Sequence, residues 1–146
     1  MANTINGKEI PIVVVGTWAW GSGLNGSKMI FGSSTDESTL EETFNMAINH
    51  GLVLWDTAAV YGMGTAERIL GECAANEEIM ISNKFTPGRK FNPKSIEKAL
   101  SESTKRLNGK IPDIYWLHMP KNLEQNIEYM GSLRKQKKIG SIGVSN

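Results

Sequence analysis

Leu52-Val53-Leu54-Trp55-Asp56-Thr57-Ala58-Ala59-Val60-Tyr61-Gly62 decides how the rest of the chain is read. The run from Leu52 to Trp55 has the length and apolar composition of a buried strand. An acid, Asp56, stands where that run stops, and Tyr61 follows before Gly62 and Gly64 let the chain turn. An ionisable group at the end of a buried strand is costly unless it is paired or used. Three later strands are predicted to close in the same way, on Lys84, on His118 and on Ser145-Asn146.

Toward the N-terminus, Thr4-Ile5-Asn6-Gly7-Lys8-Glu9-Ile10 places two short arms around Asn-Gly, a hairpin signal. Ile12 to Val15 is β-branched and unalternating, which predicts a strand buried on both faces and ending at Gly16-Thr17-Trp18. A Gly/Ser-rich loop without periodicity follows, from about Gly21 to Ser34. Ser34 and Glu37 resemble a capping box, with Asp36 adding charge to the first turn. Leu40, Phe44, Ala47 and Ile48 then recur at helical spacing, and Gly51 ends the helix with His50 beside its end.

Toward the C-terminus, a helix from Thr65 through Cys73 turns Leu70 inward, with Cys73 read as a small core residue. Ile79 to Asn83 is a third buried strand, closing on Lys84. Asn92-Pro93 opens a helix with the apolar stripe Ile96, Ala99, Leu100 and Leu107, stopped by Asn108-Gly109. Ile114 to Leu117 is the fourth strand, and a helix from Asn122 to about Gln136 faces Ile127, Met130 and Leu133 inward. The basic residues Arg134, Lys135, Lys137 and Lys138 suit that helix's C-terminal end. Ser141 to Ser145 is the fifth strand. Trp55 and Trp116, inside strands, are expected in the core.

The chain has 146 residues, 40% of them hydrophobic and 21% charged, with a formal net charge of +1. Those values describe one domain, residues 1–146, with enough apolar residues for a core. A near-neutral balance points away from nucleic acid and membrane surfaces, which select a basic excess. No apolar run reaches transmembrane length and no secretion signal is read at the N-terminus. The single cysteine forms no internal disulfide, and two distant histidines make no metal site, so a reducing, cytoplasmic setting is expected.

Strands alternate with amphipathic helices, which predicts an α/β fold with a parallel sheet covered by helices. A doubly wound sheet gathers its functional groups at one switch point, whereas a barrel collects them from many strand ends. Here they follow four consecutive strands, which favours a (β/α) barrel of TIM type with an N-terminal β-hairpin. Such a barrel takes roughly 250 residues, so the sequence is read as a truncated barrel of about five strands and four helices. The open edges of such a piece are expected to drive self-association.

At one barrel mouth, Asp56, Tyr61, Lys84 and His118 would form a proton-delivering site. An ammonium beside a phenol favours the phenolate, a carboxylate holds the ammonium in place, and an imidazole can polarise a carbonyl. Hydride for carbonyl reduction must then come from a nicotinamide cofactor. Gly16-Thr17-Trp18, Asp56 through Gly62, Ile81-Ser82-Asn83-Lys84-Phe85, Asp113 through His118 and Gly143-Val144-Ser145-Asn146 together resemble the aldo-keto reductase family, in order and at family-like spacing.

The resemblance implies an oxidoreductase that reduces aldehydes or ketones with NADPH, NAD being the less preferred cofactor. Tyr61 is implied as the general acid, Lys84 and Asp56 as the pair that activates it, and His118 as the residue orienting a small carbonyl substrate. Gly16, Thr17 and Asp56 would lie near the nicotinamide, and Ser145 and Asn146 would hold its carboxamide. Trp18 and Trp20 are implied in the substrate wall. Met119 after His118 departs from the family pattern, and the family's second half, with most cofactor contacts, has no counterpart here. Weak cofactor binding and little or no activity are therefore expected of this chain alone. Taken singly, Asp56 suits a turn, Lys84 a solvated strand end, His118 a structural role and Tyr61 rim packing. Competing functions are a Schiff-base lyase using Lys84 and a non-catalytic, cofactor-sensing or interaction subunit.

Overall fold

The computed structural model describes residues 3–145. Its first element is the expected hairpin, in which β1 (Thr4–Ile5) pairs antiparallel with β2 (Lys8–Glu9). Asn6 and Gly7 take φ values of 53° and 79°, the left-handed pair a two-residue turn of this kind requires. Asn6 Nδ2 donates to the Asp113 carbonyl at 3.1 Å, and Lys8 pairs with the Asp113 carboxylate at 2.8 Å. The other Asp113 oxygen accepts the Ile81 N–H at 2.9 Å. One aspartate thus ties the hairpin to the N-terminal ends of two strands.

The remaining elements are β3 (Val15–Gly16), α1 (Ser27–Phe31), α2 (Glu37–Asn49), β4 (Leu54–Asp56), α3 (Thr65–Cys73), β5 (Met80–Phe85), α4 (Pro93–Arg106), β6 (Ile114–His118), α5 (Leu123–Lys135) and β7 (Ser141–Ser145). The last five strands form one parallel sheet in the order β3-β4-β5-β6-β7. Strand order follows the chain without reversal, so among the described residues there is no switch point of the doubly wound kind. The fold is α/β, a five-stranded section of TIM-type barrel wall.

The period of two assigns each strand residue to a face. Trp55 packs on Phe44 of α2, ring centroids 4.9 Å apart, in a cluster with Leu70 of α3 and Ile81. Phe85, Tyr115 and Leu117 pack with Ile96 and Leu100 of α4 and Met130 and Leu133 of α5. These residues make the helix-covered face. Asp56, Ser82, Lys84, Trp116 and His118 alternate with them and share the other face. Trp116 is therefore not a core residue like Trp55, contrary to expectation; it stands two places before His118 and is only partly buried.

Three other expectations are corrected. Ile12, Val13 and Val14 are exposed rather than buried on both faces, because β3 is an edge strand whose ladder begins only at Val15. The loop after Gly21 contains α1, which ends where Gly32 adopts φ 76°. Asp36, not Ser34, caps α2. Its carboxylate accepts from the Ser38 and Thr39 hydroxyls and from the Thr39 N–H at 2.9 Å, contacts that hold it well below the usual carboxylate range. The helix α4 opens at Asn92-Pro93 as expected, and Asn92 caps it by accepting the Lys94 N–H.

A buried ion pair ties α3 to α4 and β5. Glu67 is fully buried, with one oxygen accepting from Arg106 Nε at 2.6 Å and the other from Asn83 Nδ2 at 2.8 Å. Arg106 lies against Gly64, where any Cβ would come within 2.6 Å of its Nε. Removing one partner of such a pair strands a buried charge. Arg106→Ala is expected to destabilise the chain by roughly 3 kcal/mol, about the lower limit for breaking a buried pair, as read from urea unfolding midpoints.

Candidate active site

The strand ends of the inner face bring together residues far apart in sequence. Asp56 closes β4, Lys84 lies next to the end of β5, and His118 closes β6 opposite Ser145 of β7. Lys84 Nζ donates to Asp56 Oδ2 in a short ion pair and to the Thr57 carbonyl at 3.0 Å. The lysine side chain is mostly removed from solvent, at 11% exposure, and Asp56 keeps 28%. Partners of this kind offset the hydration such an ammonium loses.

Tyr61 reaches the same place from the β4–α3 loop. Lys84 Nζ lies over its ring, 4.8 Å from the centroid, an electrostatically favourable placement. The amine meets the ring face rather than the hydroxyl expected from sequence, because its strongest contacts are with Asp56 and Thr57. The loop can hold this shape only with glycine at two close approaches. Gly62 has φ 57°, and a Cβ on it would lie 2.6 Å from Gly21 Cα; one on Gly21 would lie 2.7 Å from Gly62 N. These two glycines press the Trp18 loop against the Tyr61 loop.

Trp18 stacks on Tyr61, centroids 5.6 Å apart and planes 17° from parallel, and meets Phe31 of α1 edge-on at 5.4 Å. It is 43% exposed. Trp20, expected beside it, is instead buried in the helix-side core, edge-on to Trp55 at 5.3 Å. Its ring belongs to the buried cluster of Phe44, Trp55 and Leu70.

His118 is partly buried, with Nδ1 3.4 Å from Thr86 Oγ1. Burial, and then the Lys84 charge, push its pKa below the ordinary 6.5, against a smaller upward pull from Asp56. The imidazole is neutral at neutral pH, and it shares an electrostatic field with the ion pair. Thr17 is fully buried, and both its N–H and its hydroxyl donate to the Asp56 carbonyl, at 2.9 and 3.0 Å. It therefore braces the strand end. Gly16, opposite Asp56 in the ladder, faces open space where a Cβ would meet nothing within 4 Å. Asn146 lies outside the described residues.

Sequence reading gave no site role to Ser82, Trp116, Thr86 or Phe31. Ser82 donates its hydroxyl to Asp56 Oδ1 at 2.7 Å. The signal was available for two of them: Ser82 and Trp116 stand two residues before Lys84 and His118, on the same strand face. Phe31 could not be placed without the fold of its loop. Chemically, the arrangement offers a tyrosine whose ring face meets a mostly desolvated ammonium, a carboxylate that orients the ammonium, and a neutral imidazole on the adjacent strand.

Comparison with known proteins identifies the family and the fold. The model of the family described as "Aldo/keto reductase family" matches residues 12–146. The aldo-keto reductase YhdN of Bacillus subtilis is 33% identical over 96% of this chain and 44% of its own length. Among solved structures, the thermostable aldo-keto reductase Tm1743, determined with the inhibitor epalrestat, superposes with a TM-score of 0.83 at 27% identity, over 100% of this chain and 54% of that one. An aldo-keto reductase from Klebsiella pneumoniae determined with NADPH gives a TM-score of 0.77 at 26% identity, over 100% of this chain and 50% of that one. The chain thus spans about half the length of these relatives. The family model spans nearly the whole chain and the Bacillus relative is 33% identical over 96% of it: this chain belongs to the aldo/keto reductase family.

Proposed function

We propose that the protein containing this chain reduces aldehydes or ketones to alcohols with NADPH, and that Tyr61 supplies the proton. The observation that carries this is the Lys84–Asp56 ion pair set against the Tyr61 ring, with His118 on the next strand. The residues at the rim suit the nicotinamide end of such a cofactor: Gly16 leaves open space beside Asp56, and Ser145 supplies a hydroxyl next to His118. Asn146 is proposed to share the carboxamide with Ser145. When bound, the cofactor supplies a hydride, two electrons and a proton's mass, to the carbonyl carbon.

The chain's own residues do the rest. His118, neutral, donates a hydrogen bond to the carbonyl oxygen and orients it. Tyr61 releases its hydroxyl proton to that oxygen as the C=O π bond opens, leaving C–H and O–H bonds. Asp56 holds the Lys84 ammonium in place against the Tyr61 ring. Trp18 forms the apolar wall against which a small carbonyl substrate packs.

A Schiff-base lyase needs Lys84 neutral, and its contact with Asp56 weighs against that chemistry. The open edges of β3 and β7, each paired on one side among the described residues, support self-association of the 146-residue chain. A reducing, cytoplasmic setting is proposed on the single cysteine, Cys73, which has no second cysteine in this chain to pair with.

Tyr61→Phe removes the transferable proton and little volume. In the catalytically competent protein it is expected to lower kcat by roughly 10²-fold or more, the range of general acid catalysis, while NADPH affinity from fluorescence titration changes little. The 146-residue chain titrated alone is expected to bind NADPH weakly. The lowered His118 pKa also has a consequence for stability. The unfolded chain takes up that proton at higher pH than the folded one, so this contribution is present above pH 6.5 and is lost as pH falls through the folded value. In denaturation series across that interval, His118→Gln is expected to flatten the acid-side decline.

A further inference from the structure

We infer that Ser82 and Trp116 are positioning residues for the Asp56 carboxylate, forming a one-way hydrogen-bond relay that ends at the Lys84 pair. The inference rests on the reductase reading only for its effect on turnover; the contacts stand on the geometry alone. Trp116 Nε1 lies 2.8 Å from Ser82 Oγ, and Ser82 Oγ lies 2.7 Å from Asp56 Oδ1. An indole N–H can only donate and an ionised carboxylate can only accept. The serine hydroxyl between them accepts from the tryptophan and must turn its own proton toward Asp56. The polarity of the chain is therefore set by the chemistry of its two ends.

This arrangement divides the work of the carboxylate. Oδ1 is held by Ser82, and Oδ2 is left to Lys84. A carboxylate bound at one oxygen alone could rotate and carry the ammonium with it; bound at both, it has one orientation. The relay crosses three adjacent strands, from β6 through β5 to β4, and lies under the ion pair on the inner face. Ser82 is itself buried, at 4% exposure, so the chain lies largely out of competition with water.

The far end of the relay is held by what is missing on β7. Gly143 is the ladder partner of Trp116, and a Cβ there would lie 2.2 Å from the indole Cε3. The indole is laid across the glycine, which leaves its N–H directed back toward Ser82. Four neighbouring strands thus contribute to the orientation of one carboxylate: an acid, a serine, a tryptophan and a glycine.

The test has two arms. In ¹H–¹⁵N spectra of the 146-residue chain, the Trp116 indole resonance, assigned by its loss in Trp116→Phe, is expected to move in Asp56→Asn. In a Ser82→Ala background the same Asp56→Asn change is expected to leave it in place. This arm needs no turnover, so it decides the relay whether or not the protein reduces carbonyls. An indole resonance indifferent to Asp56→Asn, or one that moves equally without Ser82, overturns the proposal. In the catalytically competent protein, Ser82→Ala is expected to lower kcat about tenfold, the scale of one hydrogen bond to a charged group, with the KM for NADPH little changed. Ser82→Thr, which keeps the hydroxyl, is expected to restore kcat. An unchanged kcat in Ser82→Ala overturns the positioning role.

Discussion

Lys84 and Asp56 face each other across adjacent strands, with the ammonium mostly removed from water. Each partner offsets part of the hydration that the other loses at the strand ends. The consequences run outward from that pair. Asp56 needs a partner on each oxygen, and Ser82 and Lys84 supply them. Lys84 needs acceptors, and the Thr57 carbonyl and the Tyr61 ring face meet it. His118 feels the same ammonium and is held neutral by it, with burial the larger cause.

The sheet makes this possible by separating two tasks between two faces. Residues directed at the helices are large and apolar, and they close the core: Trp55 on Phe44, Tyr115 and Leu117 under α4 and α5. Residues directed the other way carry the polar groups. The helix-side layer even holds a charged pair of its own, Glu67 with Arg106, which differs in kind from the pair at the strand ends. Glu67 is enclosed and fully hydrogen-bonded, so it ties helices together. Asp56 keeps part of its surface, so the pair it forms remains next to accessible groups.

Loops set the remaining geometry. Tyr61 is not on a strand, and its ring position depends on Gly21 and Gly62 touching backbone to backbone. That contact brings Trp18 onto the tyrosine and Phe31 onto Trp18. Thr17 adds two hydrogen bonds to the Asp56 carbonyl and so joins the edge strand to the site.

The sequence by itself determined the alternation of strands and helices, the hairpin at Asn6-Gly7, the helix start at Asn92-Pro93 and the residues that end each strand. Those features follow from local rules: the period of a buried stripe, the turn chemistry of Asn-Gly, and the cost of a charge beside an apolar run. Tertiary structure alone decided where Trp18 and Trp20 part, one onto Tyr61 and the other into the core, since both are equally apolar in the sequence. It also decided that Ile12 to Val14 are exposed at an edge, because burial of an apolar run depends on neighbours the run does not name. The approach of Lys84 to the face of Tyr61, and the link from Trp116 through Ser82 to Asp56, depend on register between strands about thirty residues apart. Parity along a strand indicates which side chains share a face; only the ladder indicates which of them touch.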